Sequence, residues 1–64
     1  MKIEKNGTTL RIWLDDEYAI RKIKDSRIYC LEWYKFGKDH MPDELWYEAD
    51  LYKLYEKYED KIGK

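Results

Sequence analysis

The sequence holds one cysteine, one histidine, one proline and three glycines in 64 residues, and each scarcity removes a class of explanation. A lone thiol, Cys30, cannot form an intrachain disulfide, so a reducing cytosol is the natural setting. Cys30 and His40 alone do not make the four-ligand set of a structural zinc site, and no metal or other cofactor is expected. Glycines at 7, 37 and 63 are too dispersed for a loop that cradles phosphate. Apolar runs fall far short of the ~20 residues of a membrane span. The opening Met1-Lys2-Ile3-Glu4-Lys5 also lacks the apolar stretch of a signal peptide. The expectation is a cytoplasmic protein that touches no membrane.

Catalytic equipment is equally sparse. A nucleophile–base pair would have to be Cys30 or Ser26 with His40. Cys30 lies within an apolar run, where a cysteine acts as a small buried hydrophobe and is inert. His40 sits in a polar loop. A chain this short leaves little room for a ligand pocket of ~300 Å³ or more. No enzymatic activity is expected.

Aromatic rings and charge are abundant instead. Three Trp, seven Tyr and one Phe make 17% of the chain, and charged residues make 42%. A domain of this size buries only about 60% of the surface its unfolded chain exposes. Each buried ring removes ~150–250 Å² from water, so four or five rings supply most of a small core. Further rings would suit an interface, where Tyr and Trp are enriched. The net charge is −1, but it is unevenly spread. Residues 18–38 carry six basic and two acidic side chains, whereas 39–64 carry eight acidic and four basic. Attraction between the two parts is the simpler account; an acidic face for a basic partner is the sharper one.

Local signals divide the chain into one domain over residues 1–64, mainly β through residue 36 and helical over 43–62. Asn6-Gly7 predicts a type I′ hairpin turn joining Lys2–Lys5 to Thr8–Leu14, because both central positions need positive φ. Leu10, Ile12 and Leu14 alternate with Arg11 and Trp13, as in a strand with one inward face. Residues 17–24 fit a strand or a short helix, strand being slightly preferred. Residues 27–36, apolar on both faces, fit a central strand. Pro42-Asp43-Glu44 resembles a helix start, and Tyr47, Leu51, Leu54, Tyr55, Tyr58 and Ile62 follow the helical period as far as a stop at Gly63. The expected fold class is α+β: a small antiparallel sheet of three to four strands, opened by the N-terminal hairpin and packed against one C-terminal helix.

Tyr29-Cys30-Leu31-Glu32-Trp33, then Trp46-Tyr47-Glu48-Ala49-Asp50-Leu51 leading into a helix, resembles the chromo- and tudor-type small barrels over about half the chain. That resemblance implies a strand at Leu45–Glu48, in conflict with a helix led by Pro42, and an aromatic cage for modified peptide tails. The interval from Trp33 to Trp46 is longer than the chromo pattern.

Two surfaces are candidates for function. On a helix over 43–62, Leu45, Ala49 and Tyr52 form a second apolar stripe flanked by Glu48, Glu56 and Glu59, the apolar centre and polar rim of a partner-binding face. This points to a small non-enzymatic interaction or regulatory protein. It would dock on another macromolecule, by this anatomy a protein, in the manner of the small inhibitors that phages make against host proteins, or self-associate as a homodimer. The alternative is a nucleic-acid-binding module whose sheet offers Arg21, Lys22, Lys24, Arg27 and Lys35 beside Tyr29, Trp33, Tyr34 and Phe36. Net negative charge and an acidic helix oppose that alternative. A third reading, an acidic mimic of nucleic acid, asks for more charge than the −4 of the C-terminal part.

Overall fold

A computed structural model describes residues 2–7 and 9–63. Five strands, β1 (Lys2–Asn6), β2 (Thr9–Trp13), β3 (Tyr18–Lys22), β4 (Tyr29–Trp33) and β5 (Glu44–Glu48), precede one helix, α1 (Leu51–Ile62). The strands form an antiparallel meander in the order β1-β2-β3-β4-β5. The α+β architecture expected from the sequence is therefore present, with five strands in place of three to four.

Two expectations need correction. Asn6 pairs with Thr9 as the last rung of β1–β2, so Gly7, at φ +64°, takes the first central position of the turn. Asn6 is thus a strand residue and not a central residue of the turn, and Thr8 lies outside the described residues. The larger correction concerns 43–62, which is strand then helix. Asp43 does not cap a helix; its Oδ2 accepts from the Lys35 amide at 2.8 Å, while its own amide donates to the Trp33 carbonyl at 2.7 Å. Those bonds bring the chain back alongside β4 and start β5. The true N-cap is Asp50, whose Oδ1 accepts from the Tyr52 amide at 2.9 Å. Gly63 closes the helix in the left-handed region at φ +80°, as its sequence position indicates.

Strand alternation sorts the residues into two faces. On one face the register aligns Ile3, Ile12, Ile20, Leu31 and Trp46 in a single row, apolar from one sheet edge to the other. Helix α1 lies over the β4 and β5 end of that face. Its Leu54 and Tyr58 pack with Tyr18, Ile20 and Leu31 into the main core, bordered by Leu14, Tyr29, Trp33, Trp46 and Ile62. The Tyr58 hydroxyl donates to Asp15 Oδ2 at 2.9 Å, tying the helix to the β2–β3 turn. The opposite face has a smaller cluster of Trp13, Ala19 and Tyr34.

Candidate interaction surface

The helix has two unlike flanks. Toward β5, Lys53, Lys57 and Lys61 recur every fourth residue. Lys53 and Lys57 line the seam with Leu45–Glu48, and Lys61 Nζ lies 4.8 Å from the Trp46 ring centroid. Long aliphatic stems thus cover apolar surface while their ammonium groups reach water. Toward β2, Leu51, Tyr52 and Tyr55 stand across from Ile12, Leu14 and Ile20 around an open groove of about 390 Å³.

Width explains the groove. Strands lie ~4.8 Å apart, so five span roughly 20 Å, while a helix with its side chains is ~10–12 Å across. One helix cannot cover five strands. The apolar row therefore emerges from beneath α1 at β2 and β1, where Ile3 is 68% exposed and Leu10 is 40% exposed. Tyr52, the most exposed ring of the helix at 83%, overhangs the same side. Beyond it, Glu56 and Glu59 continue the outer surface of α1, and Lys5 and Lys22 lie on the sheet side of the groove.

The expected partner-binding stripe is only partly assembled. Tyr52, Glu56 and Glu59 do share the helix. Leu45 and Glu48 are on β5, and Ala49 lies between strand and helix. Leu45 and Tyr47 point to the face opposite α1, because alternate strand residues diverge. The stripe Leu45–Ala49–Tyr52 therefore does not exist as a helix face. Ile3, Leu10, Ile12 and Leu51 were not singled out by the sequence as a surface. The signal that could have found them is the apolar alternation of β2, with Ile3 of β1 in register beside it, combined with the shortness of α1.

The basic–aromatic alternative fares differently. Lys24 and Arg27 are in the β3–β4 turn, whereas Lys35 is in the β4–β5 loop at the other end of β4. Lys22 is on the helix side of the sheet and donates to the Ser26 carbonyl at 2.9 Å. Arg21 is on the opposite side and is bonded to Glu32. Tyr29 and Trp33 border the core, and Tyr34 is buried. These residues do not converge on one surface.

Glu32 organises the face opposite the helix. Its carboxylate, 2% exposed, accepts from Arg11 Nε at 2.7 Å, Arg21 Nε at 3.0 Å and the Tyr34 hydroxyl at 3.0 Å. A buried carboxylate is tolerated when charge-assisted bonds replace its water, and here three donors do so. Burial, then the Glu32 bond, pushes the Tyr34 hydroxyl up to about 12. Burial likewise raises the neighbouring Cys30 thiol, with the Glu32 charge adding to the effect, so the thiol stays protonated and unreactive. His40 sits in the β4–β5 loop, exposed, its ring edge against Phe36. Among the described residues no three His, Cys, Asp or Glu side chains are grouped to hold a metal, and no helix is long and apolar enough to cross a membrane.

Leu45–Glu48 is a strand, as the small-barrel resemblance requires. The two tryptophans of that resemblance nonetheless border the core: Trp33 stacks on Tyr18 at 6.1 Å, and Trp46 lies under Lys61. Comparison with family models, curated proteins and solved structures gave no match.

Proposed function

We propose that this chain is a non-enzymatic docking module that binds a macromolecular partner through the groove between α1 and β2. One observation carries the reading: an apolar row crosses the five strands β1–β5, and α1 leaves its β1–β2 end open to water. Contiguous apolar surface with a charged rim is the anatomy of an interface. A buried, protonated Cys30 and an exposed His40 in the β4–β5 loop favour binding over chemistry. The separation of Arg21 and Lys35 from Lys22, Lys24 and Arg27 favours the docking reading over the nucleic-acid one.

A photo-crosslinking phenylalanine analogue placed at position 52 tests the docking face. Adducts formed in native lysate should be competed away by excess unlabelled wild-type protein and not by the Ile3→Asp/Tyr52→Asp variant. Identical adducts from a probe at position 38, or equal competition by wild type and variant, would reject this face as the docking site.

A further inference from the structure

We infer that the occupant of the groove is a second copy of this chain, arranged about a two-fold axis so that the outer side of each α1 lies on the β1–β2 surface of the other. The inference rests on the docking reading above and names its partner. Three observations support self-pairing.

The first is shape. The same surface carries a trough and a ridge side by side. The trough is floored by Ile12, Leu14 and Ile20, and the ridge is formed by Leu51, Tyr52 and Tyr55. A two-fold operation needs a self-complementary patch of this kind, since each copy must present both halves of the contact. In such a dimer the ridge of one copy covers Ile3 and Leu10 of the other. Each sheet then gains the second helix that its width demands.

The second is charge. The sheet side of the groove bears Lys5 and Lys22, and the outer side of α1 bears Glu56 and Glu59. Within one copy these groups flank the open groove, and none of them is paired with another of the four in a salt bridge. Two-fold exchange brings the acidic helix of one copy toward the basic strands of its partner, twice over. The basic stripe Lys53, Lys57 and Lys61 is on the far flank, over β5, and stays clear of the contact.

The third is area. Ile3, Leu10, Leu51, Tyr52 and Tyr55 are exposed by 68%, 40%, 43%, 83% and 44%. At ~200 Å² for a whole large side chain, they present roughly 500–600 Å² of apolar-rich surface. A standard interface buries about 800 Å² per partner, so this patch with half-buried Ile12, Leu14 and the charged rim reaches the required size. A domain with a thin core also gains most from such burial.

Sedimentation velocity on the purified chain, from about 1 to 500 µM, tests the inference. The 8.0 kDa chain should move toward a species of about 16 kDa as concentration rises. Tyr52→Asp should remain monomeric across the range while keeping the wild-type circular dichroism spectrum. Charge exchange gives the sharper result. Glu56→Lys/Glu59→Lys and Lys5→Glu/Lys22→Glu should each self-associate at least about 10-fold more weakly than wild type. An equimolar mixture of the two should dimerise again, because each helix then meets strands of opposite charge. A wild-type monomer at about 500 µM overturns the inference. So does a dimer that neither Tyr52→Asp nor the charge variants weaken, which would place the contact elsewhere, such as the β1 edge. If the wild type is monomeric while the position-52 probe still captures a competed adduct with a different protein, self-pairing falls and the docking reading stands. Failure of both experiments removes both.

Discussion

The two flanks of α1 begin from the same sheet and end differently. Over β5, three lysine stems and the Trp46 ring close the seam between helix and strand. Over β2, two tyrosines and a leucine face isoleucines and a leucine across open water. Both flanks are apolar at their floor, so hydrophobicity alone does not distinguish them. The difference lies in what seals them. A lysine four carbons long covers a groove and remains hydrated, which finishes a surface within one molecule. A tyrosine exposed by 83% finishes nothing by itself and leaves area for another molecule. On the helix face the burial is concentrated on the β3–β5 side, where Leu31 is fully buried and Leu54 nearly so, while the apolar residues of the β1–β2 side, Ile3 and Leu10, stay exposed.

The largest effect expected from this division is at Leu54. It is 2% exposed and packs against Tyr18, Ile20 and Leu31. Leu54→Ala removes its burial and leaves a cavity, at a cost of about 3 kcal/mol. In a domain of this length that lowers the melting temperature by about 12 °C or more. Thermal unfolding followed by circular dichroism measures it. A shift under about 4 °C would mean that the covered half does not carry the stability.

A smaller effect comes from alkaline pH. Burial, reinforced by the hydrogen bond to Asp15, pushes the Tyr58 hydroxyl up to about 12 from an ordinary value of 10.0. The folded state therefore favours the neutral phenol. Its contribution is complete below pH 10 and is lost as pH rises through about 12. The loss attributable to this group is on the order of 2 kcal/mol. Tyr58→Phe lacks the ionisation and the bond to Asp15, so it starts less stable by about 1 kcal/mol. It should then lose less than wild type between pH 9 and 12. Urea denaturation of both proteins across that interval reads the difference. Parallel curves would show that Tyr58 ionises without cost, and that the helix is not anchored to the β2–β3 turn as the geometry indicates.

Much of this organisation is legible in the residues, and the misreadings have physical causes. The strand alternation of Leu10–Leu14, the apolar run around Cys30 and the terminal Gly63 each act locally, and each was readable as such. Pro42-Asp43-Glu44 has the composition of a helix start, but Asp43 spends its carboxylate on the Lys35 amide eight residues back. A bond of that span is invisible to local reading. The resulting strand turns Leu45 and Tyr47 away from α1 and dissolves the stripe expected with Tyr52. Tyr52, Glu56 and Glu59 keep a place at the candidate surface because they lie beyond Asp50, the true cap. Ile3 and Leu10 enter it only through the strand register, since nothing local shows that the helix stops short of β1 and β2. Glu32 is the complementary case. Its sequence neighbours are Leu31 and Trp33, while the groups that make its burial tolerable, Arg11 and Arg21, arrive from two other strands.

The smallest effect expected is at Ile3, and it discriminates most directly between the two halves. Ile3 belongs to the same apolar row as Leu31, three strands away, so its side chain has the same chemistry and the same orientation. The helix cover and the place of the strand in the sheet distinguish them. Leu31 lies fully beneath the cover, whereas Ile3 is 68% exposed on an edge strand. Ile3→Ser therefore removes little burial and should change the stability of the monomer by less than about 0.5 kcal/mol. The measurement must be made at low micromolar concentration or below, where two-fold pairing contributes least. Repeating the denaturation at about 500 µM then separates the two roles. Anything that binds only the folded state raises its apparent stability with concentration. Wild type should become more stable as concentration rises, and Ile3→Ser should gain less. A loss of about 2 kcal/mol or more in the dilute protein would make Ile3 a core residue. The uncovered half of the sheet would then be part of what holds the fold together.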